Sequence, residues 1–435
     1  MIVIEEKDRE DLKYIIETLS QITNELDYYN DNIVTIDLCN QSYIYPWIYS
    51  VITNWYSLQK DNGFKVRFEI INASTQTLNY ASRIEFFNKI DYTYEENFVR
   101  HSEKGRFVPI ESFHEYDANL PSKITEVFIN KKGLDTRKSK DNNIAYMLEF
   151  CLSEILENID RHADSHSGGY VIVQPRKLWD KTNNIIGANL IDICISDSGI
   201  GIPQSLRKTE EYSHWENTLC LLKSTQKNVT TKAAINPGMG NGLYILKKLI
   251  REAHGVLEIA SDNAYYIYDS LGNEIREESF EINGYWQGTI VRFRYIYDTD
   301  IDIQDIMDDQ YYDPFSQYLE IRNEILDTLE SKINTYKIRN DDFIIKLSNY
   351  GSSLSERKVA SNINDSINYN YQNNVVFDFE GVELVTSSFT DELFGKKSIN
   401  IGFETYMNKI EIVNSNPNIT ILIKKSFLDR SLESV

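Results

Sequence analysis

One segment of the chain, Asn143–Ala163, carries a clear alternation of apolar and polar positions. Apolar residues recur there at intervals of three and four, which predicts an amphipathic helix of several turns. Glu154, Asn158 and His162 interrupt the apolar stripe at intervals of four, so their side chains form one row along the helix. Polar groups on a half-buried stripe cost free energy unless each finds a partner. The row therefore either lines a functional site or lies at a solvated edge. The apolar positions are Ile144, Met147, Leu148, Cys151, Leu152, Ile155 and Ile159.

Two later segments combine a secondary-structure pattern with glycines. Leu190–Ser196 alternates apolar and polar residues, which predicts a strand with three isoleucines on one face. This strand leads directly into Asp197-Ser-Gly199-Ile-Gly201. About forty residues later, Pro237–Ile250 is predicted to be a glycine-rich turn that opens a helix. The glycines of this turn are Gly238, Gly240 and Gly242.

The order of these segments carries a resemblance to a known family. Glu-x-x-x-Asn, then Asp-x-Gly-x-Gly, then Gly-x-Gly-x-Gly-Leu resembles the Bergerat-fold ATPases, the family of gyrase, Hsp90-like chaperones, histidine kinases and MutL. Gly288-Thr289, ahead of a strand over 290–296, resembles the last motif of that family. The resemblance extends from about Asp141 to Tyr297. It implies an α+β sandwich that binds ATP together with Mg²⁺.

The resemblance also implies a role for three polar residues. Asn158 matches the residue that holds Mg²⁺, and a neutral amide suits this role because the triphosphate already supplies anionic ligands. Glu154 matches the general base of the ATPase branches of the family. Asp197 matches the aspartate that accepts a hydrogen bond from the exocyclic amine of adenine.

The remaining motif residues are expected to shape the nucleotide site. Gly199 and Gly201 would let the backbone close on the base, and Thr289 would contact the nucleotide. The later glycines lack side chains where the chain approaches phosphates, and the helix that they open offers free N–H groups. The polar stretch Pro203–Pro237 lies where the family keeps a mobile lid. Lys232 within it is a candidate contact for the γ-phosphate, and a solvated lysine is the alternative. The glycines concerned are Gly238, Gly240 and Gly242.

Strand and helix patterns alternate through the first 130 residues, which predicts a small, mostly parallel sheet with helices against it. This region bears a loose similarity to a STAS-type domain, the small α/β module of anti-anti-sigma factors. An unassigned α/β regulatory domain is the alternative. The predicted helices are Asp8–Tyr28, Tyr45–Gln59 and Leu78–Lys89, and the predicted strands are Ile33–Leu38 and Lys65–Ile71.

The last hundred residues alternate in the same way, after an acidic connector over 298–313 and a predicted helix Phe315–Ile333. They resemble a STAS-like domain through Val375–Val382 followed by Ser387-Ser388. In anti-anti-sigma factors a serine at the matching turn is phosphorylated by a Bergerat-fold kinase, which makes Ser387 a candidate phosphoacceptor. Here the turn is Thr386-Ser387-Ser388-Phe389, without the acidic residue and the glycine of the family, and a helix N-cap is the alternative role. The predicted strands are Phe343–Leu347, Asn374–Phe379, Ile410–Val413 and Ile419–Ile423, and the predicted helices are Ser355–Ile367 and Phe389–Phe394.

Length and composition narrow the class of protein. A chain of 435 residues is too long for one ordinary core, so the fold class is a multidomain α/β protein. A net charge of −21 argues against nucleic acid or an anionic membrane as the main partner. The four cysteines are scattered, as expected for reduced core residues, and no run of eighteen apolar residues appears, so we expect a cytoplasmic protein. The expected domains are residues 1–130, an ATP-binding domain 131–297, an acidic linker and helix 298–335, and a STAS-like domain 336–435.

Two classes of function fit these features. The first is an ATP-dependent, kinase-like regulator that acts on or through STAS-like domains. The second is a nucleotide-gated switch that hydrolyses ATP slowly and remodels a dimer or a partner protein. The STAS-like tail favours the first class, whereas Glu154 is compatible with both. ATP and Mg²⁺ are the expected cofactors in either case, and a protein partner or a second copy of the chain is the expected macromolecular partner.

Overall fold

The computed structural model describes residues 1–5, 11–114, 119–135, 139–162, 168–180, 185–227, 229, 242–271, 274–298, 324–369 and 374–433. These residues form two compact units, the first within Met1–Asp308 and the second within Asp309–Val435. Each unit has its own buried core. Within the part of the chain that is described, no helix combines the length and the apolar character needed to cross a bilayer.

The first unit begins with a three-stranded parallel sheet, which confirms the parallel α/β arrangement predicted for this region. The strands pair in the order β1-β2-β3, and both pairings are parallel. Asp11 caps the first helix by accepting a hydrogen bond from the N–H of Tyr14. The strands are β1 (Ile2–Val3), β2 (Asp31–Asp37) and β3 (Lys65–Ile71), and the helices are α1 (Leu12–Glu25), α2 (Pro46–Asp61), α3 (Thr75–Arg83) and α4 (Phe86–Lys89).

A second sheet of five antiparallel strands forms the centre of the same unit. Its strand order is β4-β5-β6-β8-β7. The predicted central helix is present as α6, and its seven predicted apolar positions are buried. The strands are β4 (Val108–Phe113), β5 (Gly169–Asp180), β6 (Ile185–Asp197), β7 (Val256–Asp269) and β8 (Arg276–Ile296). The helices of this part are α5 (Asn119–Lys132), α6 (Ser139–His162), α7 (Gly201–Leu206), α8 (Asn217–Ser224) and α9 (Gly242–Glu252).

The central sheet has helices on both faces. On one face, Phe128 of α5 meets Tyr295 of β8 with ring centroids 4.7 Å apart. Cys194 and Ile290 point to the other face, where they share an apolar cluster with α1 and α2. The N–H groups of Asn283 and Tyr285 also donate to α1, to Glu17 Oε1 at 3.1 Å and to Ser20 Oγ at 3.0 Å. One apolar cluster runs from the N-terminal sheet into β5, β6, β7 and β8. The N-terminal region therefore shares a core with the central sheet, which already begins at β4, ahead of residue 131. The domain boundaries stay a prediction.

Five charged side chains are buried between the central sheet and α2. Arg292 donates to both carboxylate oxygens of Asp192 at 3.1 and 3.0 Å and to Glu258 Oε2 at 3.0 Å. Arg176 donates to Asp192 Oδ2 at 3.0 Å, and Arg294 donates to Glu258 Oε2 at 3.2 Å. Burial alone would raise the pKa of Asp192, but the positive charges of Arg292 and Arg176 outweigh it and lower that pKa. These residues form a buried charge network that no motif in the sequence marks.

The buried charge network also holds α2 to the sheet. The guanidinium of Arg292 lies 4.3 Å from the ring centroid of Trp47, and that of Arg176 lies 4.3 Å from the ring centroid of Tyr45. Trp47 lies in the first turn of α2, and Tyr45 is the residue directly before this helix. Cation–π contacts of this kind are strongest where water is excluded. The network therefore joins the N-terminal region to β5 and β8 of the central sheet.

Replacing Arg292 with Met should lower the free energy of unfolding of the first unit by about 3 kcal/mol, the lower end of the range for breaking a buried ion pair. The lower end applies because Asp192 and Glu258 would keep one partner each, Arg176 and Arg294, and neither carboxylate would be left unpaired. All five tryptophans lie within the first unit, so tryptophan fluorescence during denaturation follows this unit alone. As a control, Arg67→Met removes a guanidinium that is 76% exposed, and it should change stability by less than about 0.5 kcal/mol. Equal midpoints for the two variants would show that the network adds no stability.

The second unit contains a parallel sheet in the order β13-β11-β9, next to a short pair formed by β10 and β12. This α/β arrangement agrees with the predicted small α/β domain. Of the predicted connector and helix before it, residues 299–323 lie outside the described residues, and 324–332 are helical. The strands are β9 (Phe343–Lys346), β10 (Ser353–Leu354), β11 (Val375–Asp378), β12 (Leu384–Val385) and β13 (Ile410–Val413), and the main helices are Arg357–Asp365, Ser387–Thr390, Lys396–Ile401, Phe403–Met407 and Pro417–Glu433.

The predicted strand Ile419–Ile423 is wrong, because this segment is part of the helix Pro417–Glu433. Asn416 starts the helix by accepting a hydrogen bond from the N–H of Ile419 at 3.0 Å. Ile419 and Ile423 are buried one turn apart, whereas Ile421 between them is 58% exposed. That burial has the period of a helix. The β-branched residues favoured a strand in the sequence, but the cap and the four-residue spacing decide the outcome.

Candidate functional site

Asp197 is the last residue of β6, and it is 2% exposed. By the alternation of the strand, its side chain lies on the face of Ile193 and Ile195. Its Oδ1 accepts a hydrogen bond from the N–H of Gly199 at 2.8 Å, and the N–H of Thr289 also donates to it. Burial raises the pKa of Asp197 to about 7, although both N–H donors oppose the rise. The site thus contains a buried carboxyl group that can change its protonation near neutral pH.

Glycines allow two segments to approach each other around Asp197. Gly288 has φ of +91°, and a Cβ atom there would lie 2.3 Å from the carbonyl oxygen of Asp197. Gly201 has φ of +77°, and a Cβ atom there would lie 2.4 Å from Ser261 Oγ. Both positions therefore require glycine for conformation and for space. Gly201 packs against Ser261 of β7, so it has a structural role in addition to the predicted one of letting the backbone approach the base.

Three further side chains hold this turn in place. Trp286 Nε1 donates to the carbonyl oxygen of Asp197 at 3.2 Å, and Gln287 Nε2 donates to that of Ser198 at 2.9 Å. Ser261 Oγ donates to the carbonyl oxygen of Gly288 at 2.6 Å. The sequence analysis missed these residues. They reach the site through the pairing of β7 with β8, and no local motif could have marked them.

Glu154 and Gly242 meet where α6 packs against the start of α9. A Cβ atom on Gly242 would lie 2.6 Å from Glu154 Cβ, so only glycine allows this approach. Glu154 is 7% exposed, and Asn158, one turn further along α6, is half-buried. The helix start carries N–H groups that suit an anion. The structure therefore places Glu154 beside a helix terminus of the kind that the glycine motif predicts.

Several predicted site residues lie outside the described residues, namely Gly238, Gly240 and Lys232. The preceding part of the predicted lid is folded. Tyr212 stacks on Trp215 with ring centroids 4.4 Å apart, and Arg207 Nε donates to the carbonyl oxygen of Trp215 at 2.9 Å. Ser279 Oγ of β8 donates to the carbonyl oxygen of Thr218 in α8 at 2.7 Å. The expected lid, Pro203–Pro237, therefore begins with a segment that is packed on the sheet.

The arrangement around Asp197 suits a ligand that offers a neutral hydrogen-bond donor. The carboxyl group of Asp197 accepts hydrogen bonds from the main-chain N–H groups of Gly199 and Thr289, and no ion pair involves it among the described residues. A neutral donor such as an exocyclic amine would satisfy the ionised carboxylate without a second buried charge. The described residues include no cluster of three or more His, Cys, Asp or Glu that could hold a metal ion. A Mg²⁺ ion held by Asn158 would therefore take most of its other ligands from the phosphates of the nucleotide and from water.

The candidate phosphoacceptor Ser387 begins a short helix in the second unit, directly after β12. Thr386 supplies the cap of this helix, because its Oγ1 accepts a hydrogen bond from the N–H of Phe389 at 3.3 Å. Ser388 Oγ lies 3.1 Å from Thr386 Oγ1. The capping role that the sequence analysis offered for either serine thus belongs to Thr386.

Two family models match the chain. Residues 145–296 match the model of the histidine kinase-, DNA gyrase B- and HSP90-like ATPases. Residues 357–420 match the model of a STAS-like domain of unknown function (DUF4325). No curated protein matches the chain at a significant level. The two matches confirm the ATP-binding domain and the C-terminal STAS-like domain that were predicted from the sequence.

Proposed function

We propose that this protein is an ATP-dependent, kinase-like regulator that acts on a hydroxyl group of a STAS-like domain, either its own or that of a partner. The observation that supports this proposal is the presence, in one chain, of an ATP-binding domain and a STAS-like domain. Within the first, the proposal assigns roles to two buried carboxyl groups, those of Asp197 and Glu154. Within the second, Ser387 lies at a helix start, which favours a negative charge such as that of a phosphate.

Each residue has a distinct task in the proposed reaction. Asp197 accepts a hydrogen bond from the adenine amine, and its turn is held by the N–H groups of Gly199 and Thr289. The amide oxygen of Asn158 would hold Mg²⁺, which would offset the charge of the phosphates. Glu154 takes the proton from the attacking hydroxyl group or water. The start of α9 at Gly242 gives the phosphates a place to bind without a side chain in the way.

ATP affinity should rise with pH between about pH 6 and pH 8. The carboxylate form of Asp197 is the one that accepts from the amine, and burial raises its pKa to about 7 in the free protein. At pH 6 most molecules must first lose this proton, so binding should be roughly tenfold weaker than at pH 8. Calorimetry in buffers of different ionisation enthalpy should also detect proton release on binding at pH 6.5 and little at pH 8. Affinity that is flat or falls with pH would contradict the assigned role.

The alternative is an ATP-gated switch that hydrolyses ATP slowly and remodels a dimer or a partner. One observation favours it. The turn at Thr386-Ser387-Ser388-Phe389 lacks the acidic residue and the glycine found in phosphorylated STAS turns. In this case Glu154 would act on water, and the STAS-like domain would serve for docking alone.

Incubation of the full chain with γ-labelled ATP separates the two functions. The kinase function predicts label on the protein, and replacing Ser387 and Ser388 with alanine should remove the label if the built-in domain is the substrate. Ser352→Ala is a matched control, because this serine is exposed in the same unit, and it should keep the label. Free phosphate without labelled protein, also in the presence of an added STAS-like domain, would favour the switch. If neither product formed, the proposal of an enzyme would fail.

A further inference from the structure

A cavity of about 470 Å³ lies in the N-terminal part of the first unit, and neither Asp197 nor Glu154 lines it. It opens at the carboxyl ends of the parallel strands β2 and β3, which is where ligands bind in open α/β sheets. The segment after β2 supplies Tyr43 and Ile44, α3 supplies Thr77, Tyr80 and Arg83, and a later loop supplies Phe98. The volume is within the range of small-molecule sites.

Aromatic rings line this cavity, and hydrogen bonds outside it hold Tyr80 and the helix α3 that carries it. Tyr43 and Tyr80 have ring centroids 5.5 Å apart and planes inclined at 52°. The hydroxyl group of Tyr80 donates to Gln174 Oε1 on β5 at 2.9 Å. Thr77 Oγ1 donates to the carbonyl oxygen of Gln41 at 2.7 Å, which ties α3 to the segment after β2. Fixed aromatic walls suit a flat ligand, because few side chains must be ordered when it binds.

Arg83 brings a positive charge to this cavity. Its guanidinium lies 5.0 Å from the ring centroid of Phe98, and its Nε is buried without a hydrogen-bond partner among the described residues. Glu96 lies close enough to feel its charge. However, Arg100 Nε holds the carboxylate of Glu96 at 3.0 and 3.1 Å, and Ser82 Oγ donates to it at 2.6 Å. Arg83 lines the cavity and forms no ion pair in the described part of the chain, so the charge that it brings there is only partly offset.

We propose that this cavity binds a small planar aromatic anion. The ring would lie against Tyr43, Tyr80 and Phe98, and a carboxylate or phosphate group would pair with Arg83. Guanidinium groups bind both kinds of anion through two parallel hydrogen bonds, so the two sources share one chemistry. The site does not depend on the proposed kinase function, because none of its residues belongs to the nucleotide site.

Ligand-observed NMR titrations of the full chain, with a non-hydrolysable ATP analogue filling the nucleotide site, test the proposal with three probes. Benzoate carries a carboxylate, phenyl phosphate carries a phosphate, and benzamide is the uncharged match. At least one of the anions should bind, and benzamide should bind roughly tenfold more weakly or not at all. The anion that binds more tightly shows whether the cavity prefers a carboxylate or a phosphate group. Failure of both anions to bind, or equal binding of benzamide, would overturn the proposal.

Variants locate the site. Arg83→Met keeps the apolar stem and should weaken the bound anion by roughly tenfold or more, whereas Arg83→Lys keeps the charge and should restore part of the affinity. Arg67→Met, on the exposed face of β3, should leave binding unchanged. Tryptophan fluorescence melts would show that each variant is folded. Unchanged anion binding in folded Arg83→Met would exclude this cavity as the site.

Discussion

Glu154→Ala should lower the rate of ATP turnover by about 10²- to 10⁴-fold while changing ATP affinity by less than about threefold. Glu154 lies against the start of α9, where the phosphates are proposed to bind, and its carboxylate would take a proton only as the reaction proceeds. A group that acts in the transition state contributes little to ground-state binding. Single-turnover phosphate release or phosphotransfer gives the rate, and calorimetry gives the affinity.

Glu149→Ala is a matched control for this experiment. Glu149 is on the same helix, and it accepts a hydrogen bond from Ser122 at 2.6 Å, so it has a task outside the site. Its replacement should leave turnover nearly unchanged. If Glu154→Ala turned over ATP as fast as the parent, Glu154 would have no role as a base, although the protein could still bind nucleotide.

Asp197→Asn should weaken ATP binding by about 100-fold or more. A carboxylate has two acceptor oxygens for the donors of Gly199, Thr289 and the adenine amine, whereas the asparagine side chain has only one. Its NH₂ group would take the place of the second oxygen and would face an N–H donor, so one hydrogen bond would be lost. The loss is large because Asp197 is buried, so water cannot replace the missing interaction. Calorimetry with the Mg²⁺ complex of a non-hydrolysable analogue measures the change directly.

Asp298→Asn controls for the loss of one negative charge from the same sheet. Asp298 is exposed, and it accepts from the N–H of Asn189 near the other end of β6 at 2.7 Å. Its replacement should leave affinity within about twofold of the parent, since surface charges contribute little. A folded Asp197→Asn protein that binds ATP as tightly as this control would remove Asp197 from the nucleotide site.

The periodic elements of the fold were predictable, because each depends on residues close in sequence. The apolar spacing of α6 and the alternation of β6 fix their type, and the turn after Asp197 follows from its glycines. The segment Ile419–Ile423 shows the limit of this approach. Its β-branched residues favour a strand locally, but packing of one helical face against the core of the second unit decides otherwise.

The contacts around Asp197 and Glu154 were predictable only where a motif marks both partners. Asp197, Gly199 and Thr289 come together as the order of the motifs implied, and Gly242 meets Glu154. Other parts depend on which strands pair. Trp286 supports the turn because β8 runs beside β6 and β7, and the buried charge network unites side chains from four strands. Such contacts have no sequence signature, because their partners are about 16 to 100 positions apart.

The helices α1 and α2 bury the second face of the central sheet, and this limits where the chain can be truncated. A fragment beginning at residue 131 would lack the edge strand β4, and it would present Cys194, Ile290 and the charges around Arg292 to water. An uncovered sheet with an unpaired edge is a surface for self-association. We therefore expect the N-terminal region and the central sheet to fold together, and a fragment that keeps both to aggregate less than one that begins at residue 131.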